Sequence, residues 1–233
     1  MKTNKILLTL LVLALFSFNS AQSLMAQQVR FGLTASPSLT WFNPKTDNYN
    51  SLGNRLGLSY GLQAEILFSE QYGFLSGIQI SSLGGKLRYA VSENKGGVFF
   101  SELERDYRLQ YLEIPLALKM KSHDVMGIHF YAKFGLGTSI NLRATADERY
   151  SNAQGGASLN LADQNIKGDI AFGRMSLILG GGVEYEVGGS ISLVGGLTLN
   201  NGFSNILKGS NDVSGARKNA RANYLELTFG ILF

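Results

Sequence analysis

The sequence predicts an all-β fold, an eight-stranded antiparallel up-and-down β-barrel that crosses a membrane. Three observations lead to this prediction. Apolar and polar residues alternate over long runs, which is the two-residue period of a strand. Glycine is frequent, at 28 of 233 positions, while prolines number only three. Mean hydropathy is +0.04 although 45% of the residues are hydrophobic, as alternation would produce.

The segment Arg108–Lys121 indicates which way the faces point. Its aliphatic residues fall on one side of an extended strand: Leu112, Ile114, Leu116, Leu118 and Met120. The opposite side has Tyr111, Glu113, Pro115, Ala117 and Lys119. A barrel in lipid must be apolar outside and tolerates a polar lumen, whereas a soluble sheet turns its apolar face inward. The charges are therefore expected to face the lumen.

Residues 1–26 are predicted to be a signal peptide, with Lys2 and Lys5 before the apolar run Ile6–Phe18. That run is shorter than the roughly 20 residues of a spanning helix. Cleavage is expected after Ala26, with Ala21 as the alternative, which leaves 27–233 as the barrel domain. Losing two of 21 basic and none of 17 acidic residues leaves a formal charge of +2. The pI of about 9.2 therefore does not indicate nucleic-acid binding.

The first three predicted strands are separated by one loop and one turn. Alternation runs through Val29–Trp41 and stops at the polar loop Asn43–Arg55. It returns in Leu56–Phe68, which ends at the turn Ser69–Tyr72. The third strand, Gly73–Tyr89, changes its apolar parity after Gly84-Gly85, and this change predicts a glycine bulge.

The remaining chain repeats this design. The later strands are Arg105–Lys121, Val125–Leu142, Ile170–Val187, Ser190–Gly202 and Arg221–Phe233. The long loops are Ala90–Glu104, Arg143–Asp169 and Phe203–Ala220, and the short turns are Ser122–Asp124 and Gly188-Gly189. Short turns at one end and long loops at the other are typical of outer-membrane barrels, whose termini lie in the periplasm.

Tyr111-Leu-Glu-Ile-Pro-Leu-Ala-Leu-Lys119 resembles the Tyr-Leu-Glu-Ile-Pro-Leu segment of the PorT-like outer-membrane β-barrel family. Gly180–Tyr185 and Leu227–Phe233 add weaker support, and the resemblance extends over the mature chain. It implies a barrel in the outer membrane of a Gram-negative envelope. The family's named member is implicated in protein secretion, so an accessory secretion role is an alternative function. The outward residues Leu227, Phe229, Ile231 and Phe233 resemble the signal that the barrel-insertion machinery reads.

Charged residues of the inward parity are the candidate site. They are Arg30, Glu65, Glu113, Lys119, Lys133, Arg174, Glu184, Glu186 and Glu226. The lumen of eight strands is just wide enough for side chains to fill it. The favoured interpretation is therefore a structural ion-pair network, and a proton or ion path through a narrow porin is the alternative.

No catalytic, cofactor or metal site is predicted, and the protein is not expected to be an enzyme. Ser122, His123 and Asp124 are consecutive residues of a tight turn, which cannot form a proton-transfer triad. Cysteine is absent and the two histidines lie six residues apart, which argues against a metal site. A lipid-modifying enzyme is the least favoured alternative.

The expected function is a structural or surface-binding role through the long loops, where a barrel of fixed shape usually carries specificity. Expected partners are outer-membrane lipid and lipopolysaccharide, the barrel-insertion machinery and, in the alternative, secretion proteins. Four basic residues are placed to meet lipopolysaccharide phosphates: Lys208, Arg217, Lys218 and Arg221. The barrel is expected to be a monomer that binds no nucleic acid.

Overall fold

The computed structural model describes residues 28–152 and 156–233. The strands are β1 Gln28–Pro44, β2 Tyr49–Gly53, β3 Arg55–Leu67, β4 Tyr72–Lys95, β5 Val98–Lys121, β6 Ile128–Ser151, β7 Ser158–Asn165, β8 Gly173–Gly188, β9 Ile191–Gly202 and β10 Ala220–Leu232. A short 3-10 helix, Lys167–Asp169, precedes β8. Within these residues, no helix is long and apolar enough to cross a membrane. The predicted signal peptide and both candidate cleavage positions lie outside the described residues.

Eight strands form a closed antiparallel ring in the order β1, β3, β4, β5, β6, β8, β9, β10. Each pairs with the next, and β10 returns to β1 in a register that includes Leu33 opposite Ile231. Closure matters because lipid offers no hydrogen bonds to an open sheet edge. The predicted eight-stranded barrel is confirmed. The other two strands lie outside the ring, β2 against β4 and β7 against β6.

Large apolar side chains are exposed all round the ring, and we call these residues the apolar belt. Its members include Phe31, Leu33, Leu39, Leu58, Leu62, Phe74, Ile78, Leu116, Leu118, Phe130, Phe134, Leu136, Leu177, Leu179, Leu193, Leu197, Leu227, Phe229 and Ile231. A continuous apolar surface of this extent is a liability in water. It is the surface that a barrel presents to hydrocarbon.

Strands β4, β5 and β6 have 24 residues each and continue beyond the belt. We call the distal extension residues 83–109 of β4 and β5 with their turn, 143–151 of β6, β2, β7 and the segment 203–219. In the distal extension the inner face of the strands is apolar and the outer face is polar, the reverse of the arrangement in the belt. The inward side chains Leu87, Leu103, Tyr107 and Tyr150 are at most 2% exposed and belong to an apolar core. The distal extension is therefore built like a water-soluble barrel, with its apolar side inward.

The predicted glycine bulge after Gly84-Gly85 is wrong. From Tyr72 to Ala90, β4 keeps one register with β5, and the shift lies later, between Ala90 and Glu93. Leu87 has the same parity as the inward residues of β4 on the other side of Gly84-Gly85. The strand does not slip; its surroundings change from lipid to water, so the apolar residues move to the inner face.

Three of the predicted long loops contain strands. Ala90–Glu104 comprises the end of β4, the turn Gly96-Gly97 and the start of β5. Both turn glycines have positive φ, +62° and +85°, as a mirror-image two-residue hairpin turn requires. Arg143–Asp169 contains the end of β6, β7 and the 3-10 helix, and Asn43–Arg55 contains β2. Phe203–Ala220 remains a loop up to the start of β10.

Candidate functional site

The lumen holds two polar clusters within the height of the apolar belt. The first, which we call the lower ion cluster, consists of Arg30, Glu65, Lys119, Lys121 and Glu184. The Lys119 ammonium donates hydrogen bonds to both Glu65 and Glu184. Arg30 Nη1 lies 3.0 Å from Glu184 Oε2, and Lys121 Nζ lies 3.2 Å from the same oxygen. In the ring, β3 and β8 are opposite walls, so Lys119 links carboxylates from both sides of the lumen.

The second group, which we call the upper polar cluster, is centred on Glu113 with Arg174, Asn200, Tyr224 and Ser139. The Tyr224 hydroxyl donates to Glu113 Oε1 at 2.9 Å, and Asn200 Nδ2 donates to the same oxygen at 3.1 Å. Ser139 Oγ donates to Oε2 at 3.1 Å, and Arg174 Nη1 lies 3.4 Å from it. Glu113 on β5 and Tyr224 on β10 come from opposite walls. Both clusters therefore cross the lumen.

A small polar cavity of about 30 Å³ lies between the clusters, with Lys133 and Glu226 in its lining. One water molecule needs about 10–15 Å³ of such volume, so the space suits one or two waters. Among the described residues, no carboxylate lies within 4 Å of Lys133. Glu226 Oε2 is buried without a hydrogen-bond partner there. The cavity is polar and large enough for a water to bridge the two groups.

The structure brings together eight of the nine predicted inward charges. Four join the lower ion cluster: Arg30, Glu65, Lys119 and Glu184. Two join the upper polar cluster, Glu113 and Arg174, while Lys133 and Glu226 line the cavity between the clusters. Glu186 does not join them: its side chain is 54% exposed at the barrel end and lies 3.1 Å from His129 Nε2.

Four cluster members were missed by the sequence interpretation: Lys121, Ser139, Asn200 and Tyr224. Lys121 has the parity of Lys119, but it lay at the predicted end of its strand. Ser139, Asn200 and Tyr224 also have the inward parity, and a search for uncharged hydrogen-bonding groups would have found them.

The turn with Ser122 and His123 does not form a nucleophile–base pair. Ser122 Oγ donates to the His123 carbonyl and accepts from the Phe130 amide. Within residues 28–152 and 156–233, no group of three or more His, Asp or Glu side chains is arranged to hold a metal ion.

The model of one family, described as an outer membrane protein beta-barrel domain, matches residues 21–208. This chain belongs to that family. It is therefore a protein of the outer membrane, as the sequence predicts. In such barrels the short turns face the periplasm and the long connections face outward, so the distal extension is extracellular.

Solved structures similar to this outer-membrane barrel include Neisserial surface protein A, with 14% identity and a TM-score of 0.44 over 88% of this chain and 95% of that one. The attachment invasion locus protein Ail of Yersinia pestis has 12% identity and a TM-score of 0.40 over 90% and 100%. The outer membrane protease OmpT of Escherichia coli has 10% identity and a TM-score of 0.41 over 88% and 96%. No curated protein matches the chain. None of these likenesses carries an activity over to it.

The outer surface of the distal extension is charged. Arg88 Nη2 donates to Glu104 at 3.3 Å across β4 and β5, and Arg108 Nη1 donates to Asp147 at 2.5 Å across β5 and β6. The hydrogen bonds from Arg108 hold the pKa of Asp147 below its usual range. This pairing therefore stabilises the extension above the ordinary aspartate pKa of about 3.9 and is lost as pH falls through the lowered value.

The interior of the distal extension is packed and covered. Tyr49 of β2 stacks on Tyr89 of β4 with ring centroids 4.4 Å apart. Asn211 of the segment 203–219 donates to the Ala90 carbonyl at 2.9 Å and to the Tyr49 hydroxyl at 3.2 Å. These bonds hold that segment against the end of the barrel. The extension is thus a folded extracellular body rather than a set of free loops.

The predicted insertion segment comprises the end of β10 and Phe233, the residue after it, next to the closure with β1. Leu227, Phe229, Ile231 and Phe233 are 46–54% exposed on the outward face. Their role in insertion stays a prediction.

Proposed function

We propose that this protein is a non-conducting outer-membrane barrel that acts through its extracellular extension, as a surface-binding or structural element of the envelope. The observation that carries the proposal is the cross-lumen pairing of charges within the membrane, combined with a folded body outside it. A pore would need a continuous water-filled path through the lumen. A barrel that served only as a membrane anchor would not need a packed extension outside the membrane.

The lower ion cluster is the strongest argument against a pore. Lys119 joins Glu65 and Glu184 from opposite walls, and all three side chains are at most 2% exposed. The upper polar cluster forms a second crossing through Glu113 and Tyr224. The space between them, about 30 Å³, suits one or two waters and no hydrated ion path.

The distal extension supports a binding role. Its exterior is charged and its tip carries adjacent exposed apolar residues, Val98 at 41% and Phe99 at 68%. Aromatic residues exposed in water are enriched among those that anchor protein interfaces. Within the apolar belt, ring closure leaves no free strand edge for self-association, which supports a monomer. The proposal includes no catalytic step.

Conductance in planar bilayers tests whether the protein acts as a pore through its lumen or as a non-conducting barrel. We expect no discrete conductance steps from the purified protein, because paired charges fill the lumen. A 16-stranded porin in the same preparation is the control for insertion, since its wide aqueous channel gives large steps. Reproducible ion-selective steps from this protein would contradict the proposal and favour the narrow porin.

The resemblance of Tyr111–Lys119 to the PorT-like family supports one narrower alternative, an accessory part of a secretion apparatus. Those residues lie within the barrel wall: Tyr111 and Glu113 point inward and Ile114 outward. They support a shared fold more than a shared partner. Purification of the intact protein in detergent from native membranes tests this alternative, which fails if no secretion component accompanies it.

A further inference from the structure

A groove of about 560 Å³ lies on the outer wall, where the apolar belt meets the distal extension. We call it the rim groove. It is lined on the β3 side by Arg55, Leu56 and Leu58 and on the β5–β6 side by Arg108, Gln110 and Arg143. Because the belt ends here, the groove is at the level where the outer leaflet changes from acyl chains to headgroups.

The groove forms because two strands separate. Pairing of β3 with β4 ends at Ser59 opposite Ser81. Above that point the Gly84 amide and carbonyl bond instead to Thr40 Oγ1, at 3.0 and 2.8 Å. Gly84 also lets the Arg55 side chain cross β4, since a Cβ there would lie 2.4 Å from Arg55 Cδ. The guanidinium of Arg55 is thereby held on the outer surface.

The lining is basic: three guanidinium groups stand against one carboxylate, that of Asp163. Arg55 is paired with Asp106 at 2.8 Å, and Arg108 is paired with Asp147 and Asp163. Arg143 is 66% exposed, and the nearest carboxylate oxygen, on Asp163, is 3.7 Å away. No hydrogen bond from its guanidinium is made to any residue that the structure describes. Arg143 therefore keeps all five of its donors for a ligand.

The lower wall of the groove is apolar. Leu56 is 82% exposed and Leu58 is 47% exposed, directly below the guanidinium groups. A ligand that fits has anionic groups that accept bidentate hydrogen bonds from arginine and acyl chains that lie along the leucines. A free anion would leave the apolar wall uncovered, and a neutral lipid would leave the arginines without an acceptor.

We propose that the rim groove is a specific binding site for the phosphorylated headgroup of lipid A, the lipid anchor of lipopolysaccharide in the outer leaflet. Its arginines bind a phosphate, and Leu56 and Leu58 contact the adjoining acyl chains. The site is distinct from the basic residues of the segment 203–221 that the sequence suggested for this contact. It is also independent of the proposed partner-binding role of the extension.

Native mass spectrometry of the detergent-solubilised protein tests the site, with bisphosphorylated lipid A as the probe. We expect one tightly bound lipid, and about tenfold weaker binding for Arg143→Gln, since one charge-assisted contact is lost. Asp163→Asn should tighten binding, because it removes the acid that competes for Arg108 and Arg143. Asparagine also tolerates the positive φ of +50° at this position.

Arg149→Gln is the matched control. Arg149 is exposed on the same strand, about 20 Å farther from the belt by the rise of six residues. Its binding should equal that of the wild type, and thermal unfolding should show that all variants remain folded. Dephosphorylated lipid A and phosphatidylglycerol should bind at least tenfold more weakly than lipid A, and millimolar inorganic phosphate should not displace it. Equal binding of Arg143→Gln and wild type, equal binding of the other lipids, or displacement by phosphate would each overturn the proposal.

Discussion

Lys119→Met is expected to lower the free energy of unfolding by about 3–5 kcal/mol, the cost of removing one partner from a buried ion pair. Lys119 is the group that satisfies both Glu65 and Glu184, and its side chain is 2% exposed. Methionine keeps most of the length of the side chain, so the loss reports the charge rather than a cavity. After the change, Glu184 keeps Arg30 and Lys121, but the nearest cation to Glu65 is Arg30 at 3.8 Å.

Urea unfolding in lipid vesicles measures this loss through the fluorescence of Trp41, the one tryptophan of the chain. Lys86→Met is the matched control, because Lys86 lies on the outer surface of the extension, 43% exposed and 3.6 Å from Asp106. Its cost should be below about 1 kcal/mol. Adding Glu65→Gln to Lys119→Met should restore part of the stability, because it removes the buried carboxylate that the first change leaves without a close cation. Equal costs at Lys119 and Lys86 would show that the lower ion cluster does not hold the barrel together.

Leu87→Ala is expected to cost about 2–5 kcal/mol, the range for truncating a leucine in a packed core. Leu87 is 0% exposed and lies among the core residues of the distal extension. The loss should be local. Since the ring within the belt is stabilised by its own pairing and by lipid, the extension should open while the barrel stays inserted.

Hydrogen exchange checks this locality. Peptides covering 83–109 should lose protection, whereas peptides from the belt-level parts of β8 and β9 should not. Val98→Ala, at the exposed tip of the same hairpin, should change stability by no more than about 0.5 kcal/mol. A surface ligand that binds through the extension should also be lost with Leu87→Ala. Loss of protection in every strand would mean that the extension and the barrel are one cooperative unit.

The ring within the belt was predictable from the sequence because lipid imposes a simple pattern. In β5 the outward positions from Leu112 to Met120 are all apolar, and the inward positions include Glu113 and Lys119. Each strand can be recognised alone from such alternation. Closure then follows from the even number of strands and from the absence of hydrogen-bonding partners in lipid.

The distal extension was not predictable by the same rule. Leu87 and Tyr89 follow the alternation of β4, but their apolar side is inward, and this change looked like a register slip at Gly84-Gly85. The height at which water replaces lipid is a property of the assembled barrel, not of one strand. Polar residues such as Glu102 and Glu104 looked like loop residues for the same reason, since they face water from a strand.

The ion pairs within the lumen could not be predicted from the sequence either. Parity assigns Glu65, Lys119 and Glu184 to the inner face, but it does not say which walls are opposite. That depends on the order of strands in the ring and on the register of each pair. Glu186 shows that parity alone does not place a side chain in the lumen. It has the inward parity, yet it lies where the barrel opens to solvent.

Single-cysteine spin labelling along β5 tests the central claim most directly, since the chain has no cysteine of its own. Labels at the outward positions 112, 114, 116 and 118 should be accessible to oxygen dissolved in the bilayer. Labels at 104, 106 and 108, on the same face of the same strand, should be accessible to a water-soluble nickel reagent, while a label at 103 should be reached by neither. Bilayer accessibility at 104–108, or aqueous accessibility at 114–118, would contradict a strand that leaves lipid and enters water without changing its face.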